Sequence, residues 1–392
     1  MTVATPTSPM ALNSAGLQSL RQGDAGKAAE LFEAALKLDP DAVPLWLNLA
    51  TACRAQNNAE GEMAALDAAL DRDRLHFMAW LRKAQLHQRE GEKSAALTAW
   101  RAAIQLAGDV GAMSPQVAQQ LDEGRTYVAD VGARFAAAVD EAFEGQFPDA
   151  DAQSRRRIQA FVDVVTGRRK TYQNQCAGLF YPFLPVDEFF DDHHFPWFEE
   201  VNSRTDAIRA EFEAVYADPG ESLRPYVQLE KGGPEAQWAT LNNSLDWGAL
   251  FLWEFGTPNA PVLERCPVTA DLIRSIPSTF IPGRAPNVMF SILRPGAHIP
   301  PHTGVTNTRA VVHLPLIVPN NCAFRVGGET RAWEVGKAFA FDDTIEHEAW
   351  NNSDEMRAIL IFDVWNPHLS NDEQDAIIRY FTSADSLGFA GR

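Results

Sequence analysis

A chain of 392 residues with 46% hydrophobic and 22% charged residues has the composition of an ordinary globular protein of two or three domains. Its formal net charge of −18 argues against a nucleic-acid or anionic-membrane partner, because phosphate groups would be repelled over most of the surface. Four scattered cysteines without C-x-x-C spacing indicate neither a zinc ribbon nor a disulfide framework. The start MTVATPTSPM has no basic leader and no apolar run is long enough to span a bilayer, so we expect a cytoplasmic protein.

Residues 9–110 contain an internal repeat with a period of 34. Small residues recur at two positions of the repeat, namely Gly16, Ala50 and Ala84, and Ala35, Ala69 and Ala103. Small residues at fixed points allow paired helices to approach closely, and large residues such as Phe32 and Trp100 fill the space between them. The pattern resembles tetratricopeptide repeats and predicts three helical hairpins.

Such a stack of hairpins has a concave surface for a peptide or a partner domain. The alternative is that the repeats only dimerise the protein or support the C-terminal domain. The pair Trp46 and Trp80 falls in register and is interpreted as packing core, so the pattern identifies no binding residue within the repeats.

The region 111–170 keeps helical periodicity and is predicted to be a helical cap or linker. Near residue 170 the sequence becomes rich in aromatic residues and proline, which predicts a boundary and a further domain over 171–385. Within it, 199–216 reads as an amphipathic helix, and the run GALFLWEF suits a buried strand. We interpret the adjacent His193 and His194 as a surface turn, since neighbouring side chains on regular structure diverge.

Many short β-rich runs follow, separated by turn sequences such as RPGAHIPP, PNN, GGE and NNSDE. The runs cover 287–293, 309–318, 323–326, 330–333, 338–341, 347–350 and 357–365. This pattern favours a sandwich or a jelly roll over a parallel sheet. In a jelly roll the strand ends meet at one open mouth, where a metal can be held.

Two histidines lie beside these runs. His302 stands in PPHTG after one predicted strand and its turn, and His347 begins another predicted strand. Imidazole suits iron, zinc, copper and nickel, and two histidines from separate strands leave several coordination positions open. The carboxylate often found two residues after the first histidine is absent, because Gly304 occupies that position. The order His302, His347, Arg357 predicts an iron site with an acidic cosubstrate.

The string HTGVTNTR, followed by VVHLPLIV, W-E-x-G-K, F-D-D-x-x-x-H-E-x-W and DVWNP, resembles the aspartyl/asparaginyl β-hydroxylase family over about 75 residues. That resemblance implies a dioxygenase that depends on Fe(II) and 2-oxoglutarate, built on a double-stranded β-helix of the jelly-roll or cupin-like type with flanking helices. It also implies iron held by two histidines and no protein carboxylate, which agrees with Gly304. The expected architecture is therefore a multi-domain α + β protein with helical repeats before the β domain.

The resemblance implies a role for each matching residue. His302 and His347 would be the iron ligands. Arg357 would bind the far carboxylate of 2-oxoglutarate with both arms of its guanidinium, the geometry for which arginine is suited. Ser291 would add a hydroxyl to the same carboxylate, and His313 would hydrogen-bond the cosubstrate near the metal.

One position departs from the family pattern. Val311 lies two residues before His313, where a basic residue is expected. Arg309 matches the family string and could supply that charge to the cosubstrate or the substrate. Asp342 and Asp343, just before the second ligand, are interpreted as turn or capping residues, with a hydrogen bond to a ligand imidazole as the functional alternative.

The sequence thus predicts an enzyme that uses O₂ to hydroxylate a side chain, of the Asp or Asn type, in a peptide or protein recruited by the repeats. A small-molecule substrate is a second possibility. The alternative class is a repeat scaffold with an inactive cupin-like domain, which would leave the set of His302, His347 and Arg357 without a use. A zinc or nickel cupin would leave Arg357 and Ser291 unexplained.

Overall fold

The computed structural model describes residues 8–109, 111, 113–229 and 236–388. The chain forms two compact units, Met1–Asp149 and Ala150–Arg392, each with its own hydrophobic core. No helix in these described ranges is long and apolar enough to cross a membrane. The two helices of the predicted cap or linker region fall one in each unit.

The N-terminal unit is an array of paired helices. Its helices are α1 (Pro9–Arg21), α2 (Ala25–Leu38), α3 (Val43–Ala55), α4 (Ala59–Arg72), α5 (Phe77–Arg89), α6 (Lys93–Leu106) and α7 (Pro115–Phe143). Side-chain oxygens of Asp24 and Asn58 accept hydrogen bonds from free backbone N–H groups at the starts of α2 and α4, as N-caps do. The three hairpins α1–α2, α3–α4 and α5–α6 confirm the predicted repeats.

The repeat also governs polar contacts within the N-terminal unit. The Trp46 indole donates to the Pro40 carbonyl at 2.8 Å, and the Trp80 indole donates to the Arg74 carbonyl at the same distance. In the second and third repeats the indole therefore bonds the backbone six residues before it. These contacts agree with the interpretation of both tryptophans as structural residues.

Two glycines of the N-terminal unit give a matched prediction about its packing. A Cβ on Gly16 would lie 2.5 to 2.9 Å from three ring atoms of the buried Phe32, whereas a Cβ on the exposed Gly26 would meet only Asp24, at 3.8 Å. We expect Gly16→Ala to destabilise the unit by about 1–3 kcal/mol through overpacking. Gly26→Ala should stabilise it by about 0.4–1 kcal/mol through reduced unfolded-state entropy. Urea unfolding followed by circular dichroism checks both, and equal effects would contradict the close approach of α1 and α2.

The helices of the C-terminal unit flank a β domain. They are α8 (Ala152–Val165), α9 (Phe198–Ser203), α10 (Thr205–Ala217), α11 (Ala260–Leu263), α12 (Pro267–Ser275) and α13 (Asn371–Ser386). The single helix predicted over 199–216 is two helices, because the chain leaves helical geometry at Arg204. The Arg204 side chain reaches both Glu200 and Asp271, which fixes the break.

Eleven strands of the described chain form two antiparallel sheets. They are β1 (Leu223–Pro225), β2 (Trp247–Glu254), β3 (Thr257–Pro258), β4 (Val288–Leu293), β5 (His298–His302), β6 (Arg309–Ile317), β7 (Cys322–Val326), β8 (Glu329–Ala332), β9 (Phe339–Phe341), β10 (His347–Asn351) and β11 (Arg357–Trp365). The larger sheet has the order β1-β2-β4-β11-β6-β9, with β3 beside β2, and the smaller has the order β5-β10-β7-β8. This confirms N-terminal helical repeats followed by an antiparallel, sheet-rich domain.

All seven β-rich runs of the C-terminal half are strands, within one or two residues of the predicted bounds. The sequence did not predict the short strands β1 and β3 of the larger sheet. It also did not predict β5, HIPPH, which carries His302 at its last position. Two prolines in five residues argue against a strand, since proline lacks the N–H for a ladder. The structure tolerates them because β5 lies at the edge of the smaller sheet and pairs only with β10.

Two cores hold the β domain together. One lies between the larger sheet and the flanking helices, where Phe212 of α10 packs against Phe290 of β4 at a ring separation of 5.3 Å. The other lies between the two sheets and joins Phe324 and Val326 of β7 to Ile359 of β11. The inner faces of both sheets therefore meet around the second core, and the candidate site is built at its edge.

Candidate active site

The two predicted ligand histidines lie side by side. His302 ends β5 and His347 begins β10, and they are direct partners in the antiparallel register between these strands. Their ring centroids are 4.1 Å apart. Residues that face each other across an antiparallel pair present their side chains on the same face. The register thus places two imidazoles together although they are 45 residues apart in sequence.

Hydrogen bonds fix which ring nitrogen each histidine offers. Nδ1 of His302 lies 2.8 Å from the Pro300 carbonyl oxygen, and Nδ1 of His347 lies 2.9 Å from the Ile345 carbonyl oxygen. A carbonyl can only accept, so Nδ1 carries the proton in both rings. The lone pair of each neutral imidazole is therefore on Nε2, and this is how metal-binding histidines are commonly oriented.

Burial keeps both rings neutral. It lowers the pKa of His302, and it lowers the pKa of His347 well below the usual value for histidine, with the neighbouring His302 adding to the effect. Two adjacent imidazolium ions would repel each other in this low-dielectric setting. Near neutral pH both side chains are thus free to donate a lone pair to a cation.

The third position of a facial metal triad is not occupied by a protein ligand. Within the described ranges, no group of three or more His, Cys, Asp or Glu side chains is arranged to hold a metal ion. A Cβ on Gly304 would overlap the carboxylate of Asp343, and the Gly304 N–H donates to the Asp343 backbone carbonyl at 2.6 Å. A metal held by His302 and His347 would take its remaining ligands from cosubstrate and water.

Asp342 and Asp343 have different surroundings. Asp342 accepts hydrogen bonds from the Thr344 backbone N–H and hydroxyl and from the Asn174 amide, so it caps the turn before His347. Asp343 has its carboxylate against Gly304, and burial raises its pKa to about 7. The Asp343 carboxylate thus lies against the backbone two residues after His302.

The close approach of Gly304 and Asp343 gives a prediction. Gly304→Ala should destabilise the β domain by about 1–3 kcal/mol, because the new methyl group overlaps the Asp343 carboxylate. Adding Asp343→Ala should recover most of that loss, since the two changes act on one contact. Thermal unfolding of both single variants and the double variant checks this, and simple additivity would show that the contact is not the cause.

Arg357 and Ser291 form a second part of the site. Arg357, the first residue of β11, is 1% exposed, and its Nη1 donates to the Ser291 hydroxyl and carbonyl oxygens, both at 3.3 Å. The Trp247 indole also donates to the Ser291 hydroxyl oxygen, at 3.1 Å. That oxygen accepts two hydrogen bonds, so its own proton is left to donate to a further acceptor.

The guanidinium of Arg357 is prepared for an anion. Its Nε is buried without a hydrogen-bond partner in the described chain, and its carbon lies 4.9 Å from the Trp333 ring centre. Burial lowers its pKa to about 9, and no carboxylate counters that effect. An unpaired buried cation with a free donor, next to a hydroxyl ready to donate, fits the carboxylate of an acidic ligand.

His313 lies in the same inner core. The Trp333 indole points to its Nδ1 at 3.4 Å, and the rings of Phe324 and Phe341 are each 4.9 Å away. Burial lowers its pKa well below the usual value, and the neighbouring Arg357 and His347 act in the same direction. His313 and Arg357 both contact Trp333, and His313 and His347 both contact Phe341, so the structure places His313 near Arg357 and the histidine pair.

Arg309 does not join this group. It lies four residues along β6 from His313, about 13 Å at the rise of a strand. Its guanidinium pairs with the carboxylate of Asp363, which also accepts hydrogen bonds from the backbone and side chain of Asn287. The charge that was expected to compensate for Val311 is thus already paired within the protein.

The remaining histidines lie elsewhere. His298 is exposed and pairs with Glu348 at 2.9 Å. His193 and His194 belong to a short 3₁₀ turn, as expected, and the ring of His194 lies 5.0 Å from that of His368. These side chains take no part in the histidine pair of β5 and β10.

Sequence reasoning missed the aromatic side chains around the site. Trp238 lies 5.2 Å and Trp247 lies 6.1 Å from the His302 ring, and Trp333 contacts both His313 and Arg357. Trp247 lies just before the predicted strand GALFLWEF and was given no role in the site. Its role depends on the register that sets it one strand away from Ser291, for which the sequence carries no local signal.

Two segments of the chain match known protein families. Residues 202–367 match the family model described as aspartyl/asparaginyl beta-hydroxylase, and residues 19–86 match that of the tetratricopeptide repeat. The matched region contains the histidine pair, Ser291, His313 and Arg357. The C-terminal unit belongs to the aspartyl/asparaginyl beta-hydroxylase family. The predicted family and its N-terminal repeats are thereby confirmed.

Several curated relatives of this hydroxylase family are similar to the chain. Human aspartyl/asparaginyl beta-hydroxylase is 38% identical over 133 residues, which are 34% of this chain and 17% of the human protein. The ornithine lipid ester-linked acyl 2-hydroxylase of Rhizobium tropici is 35% identical over 196 residues, 49% of this chain and 66% of that protein. Human aspartate beta-hydroxylase domain-containing protein 2 is 29% identical over 203 residues, 51% of this chain and 53% of that protein. The chain thus spans less than two thirds of each relative.

Proposed function

We propose that this protein is a hydroxylase that depends on Fe(II) and 2-oxoglutarate, with its active site at the His302 and His347 pair. The observation that carries the proposal is the pairing of two metal-ready imidazoles with a buried, unpaired Arg357 in one inner core. The division of β4 to β11 into four strands of each sheet supports a double-stranded β-helix as the scaffold.

The protein residues have separable roles in this proposal. His302 and His347 would hold the metal through Nε2, and Arg357 with the Ser291 hydroxyl would hold the distal carboxylate of 2-oxoglutarate. Trp247 positions Ser291, and Trp333 packs on the guanidinium of Arg357. With O₂, bound iron and 2-oxoglutarate would insert one oxygen atom into a substrate C–H bond and release succinate and CO₂. The indole rings of Trp238, Trp247 and Trp333 around the site would exclude water from this chemistry.

His313 suits a neutral role. Its Nδ1 accepts the Trp333 indole proton, so Nε2 carries the proton of the neutral ring and can donate a hydrogen bond. A neutral donor near the metal would orient the cosubstrate without adding charge. This is the role that the sequence resemblance implied.

We further propose that the substrate group is part of a peptide or protein, and that the N-terminal repeats bind this peptide or protein. The names of the curated relatives refer to two kinds of substrate. One name refers to aspartyl/asparaginyl residues and another to a lipid acyl chain. A small-molecule or lipid substrate is therefore the second candidate. A scaffold with an inactive domain is disfavoured, because it would leave a destabilising buried charge at Arg357 without a purpose.

Succinate release tests the proposal. The purified full chain with Fe(II) and 2-oxoglutarate should release succinate slowly even without a further substrate, and a metal chelator should stop it. Binding of 2-oxoglutarate should be measurable by calorimetry in the presence of an inert divalent metal. If neither succinate release nor 2-oxoglutarate binding is found, the proposed function is wrong.

A further inference from the structure

We propose that the substrate group bound beside the histidine pair is an uncharged aliphatic group, and that an acidic side chain such as aspartate is disfavoured there. This inference rests on the proposed function and names the substrate class of the same site. The features that carry it are an apolar row of side chains and an arginine whose charge is paired within the protein.

The inner face of the larger sheet is arranged in rows. Residues two apart along a strand share a face, and register partners on neighbouring strands continue the row. His313, Ile361 and Met289 are successive partners on β6, β11 and β4. The next row contains Phe341, Val311 and Asp363. These rows adjoin the row of Ser291, so they form the wall beside the proposed cosubstrate site.

The second row lies near the metal ligands. The ring of Phe341 is 5.2 Å from that of His347, and Val311 is the register partner of Phe341. Val311 is half-buried and packs on the inner core, as does Ile361 of the first row. A substrate group that approaches the histidine pair along this wall therefore meets aliphatic side chains.

The charge balance of the wall excludes a spare cation. Arg309 lies two residues before Val311 on β6 and is the one cationic residue among the described residues of these rows and this adjoining position. Its guanidinium pairs with the carboxylate of Asp363. Both partners are largely buried, with side-chain exposures of 19% and 7%. Asp343 is a second carboxylate within electrostatic reach of Arg309. An incoming carboxylate would meet a wall that has no excess positive charge.

An acidic substrate group would have to displace Asp363 from Arg309 or remain unpaired. Either arrangement leaves a buried carboxylate without its partner, which is strongly unfavourable. An uncharged group only exchanges water for contact with Val311, Ile361 and Met289, which is favourable. The wall therefore selects by charge before it selects by shape.

Three small probes test this selection. They are the N-acetyl amides of leucine, asparagine and aspartate, of which the last two have nearly the same shape and differ in charge. Binding to the full chain, with and without 2-oxoglutarate, is measured by ligand-observed magnetic resonance at millimolar concentrations. We expect the leucine probe to bind at least about tenfold more tightly than the aspartate probe, with the asparagine probe between them.

Variants reverse the charge balance. Asp363→Asn leaves Arg309 without its carboxylate, and we expect the aspartate probe to gain about tenfold in affinity while the leucine probe changes little. The double variant with Arg309→Met should abolish that gain. Val311→Arg adds a cation at a half-buried position and should also increase the affinity for the aspartate probe. This variant replaces Asp363→Asn as the test if the melting curve of Asp363→Asn shows that it does not fold.

The outcomes separate this inference from the proposed function. Equal or tighter binding of the aspartate probe to the unmodified chain overturns the inference, and so does absence of binding by the leucine probe. Succinate release without added substrate is measured on the same preparation. Its absence would overturn the proposed function, while a preserved preference among the probes would still support the uncharged subsite.

Discussion

We expect His347→Ala to reduce succinate release to below about one hundredth of the unmodified rate, since loss of residues that merely support a metal ligand already costs 10–100-fold. The reason is that, in the proposed metal site, the Nε2 lone pair of His347 would be one of two donors that the described part of the chain supplies. Anaerobic titration with Fe(II) should show weaker metal binding in the same variant, with 2-oxoglutarate turnover as the second measurement.

His298→Ala is the matched control for this change. His298 lies on β5, four residues before His302, but it is exposed and pairs with Glu348 at the surface. Such a pair contributes about 0–1 kcal/mol to stability, so the control should keep both metal binding and turnover. If His347→Ala kept full turnover, or if both variants lost it equally, the histidine pair would not be the metal site.

Most of the fold could be predicted because its signals are local. The period of 34 gave three hairpins, and turn sequences bounded seven of the strands. The strand β5 was missed because its prolines contradict local strand preference, and only its place at a sheet edge makes HIPPH possible. The break at Arg204 was missed for a similar reason, since its contact with Asp271 is distant in sequence.

The candidate site divides in the same way. His302, His347, Ser291, His313 and Arg357 could be selected by residue type and resemblance, and the structure places them together. Trp247, Trp333 and Asp363 could not be selected, because each acts through a partner on another strand. What a residue's charge is paired with depends on register, and the sequence did not reveal that Arg309 is paired.

Arg357→Met should have opposite effects on stability and on ligand binding. The buried guanidinium of Arg357 lacks a carboxylate partner, so replacing it with an apolar side chain of similar length should stabilise the ligand-free protein by about 1–4 kcal/mol. The same change would remove the proposed charged, two-armed contact to the 2-oxoglutarate carboxylate. We expect a loss of about 2–5 kcal/mol in the binding free energy of 2-oxoglutarate, which corresponds to a roughly 30- to 5000-fold larger dissociation constant.

Thermal unfolding with and without 2-oxoglutarate separates the two effects. Excess 2-oxoglutarate should raise the melting temperature of the unmodified chain, because a ligand that binds only the folded state stabilises that state. The melting temperature of Arg357→Met should not change when 2-oxoglutarate is added. Arg325→Met is the control, since Arg325 has Glu346 and Glu348 as partners and its loss should lower stability without affecting ligand binding. If Arg357→Met instead lowered the melting temperature and kept the ligand response, Arg357 would be a structural residue. A raised melting temperature together with loss of the ligand response would mean that the fold retains a destabilising buried charge in order to bind the cosubstrate.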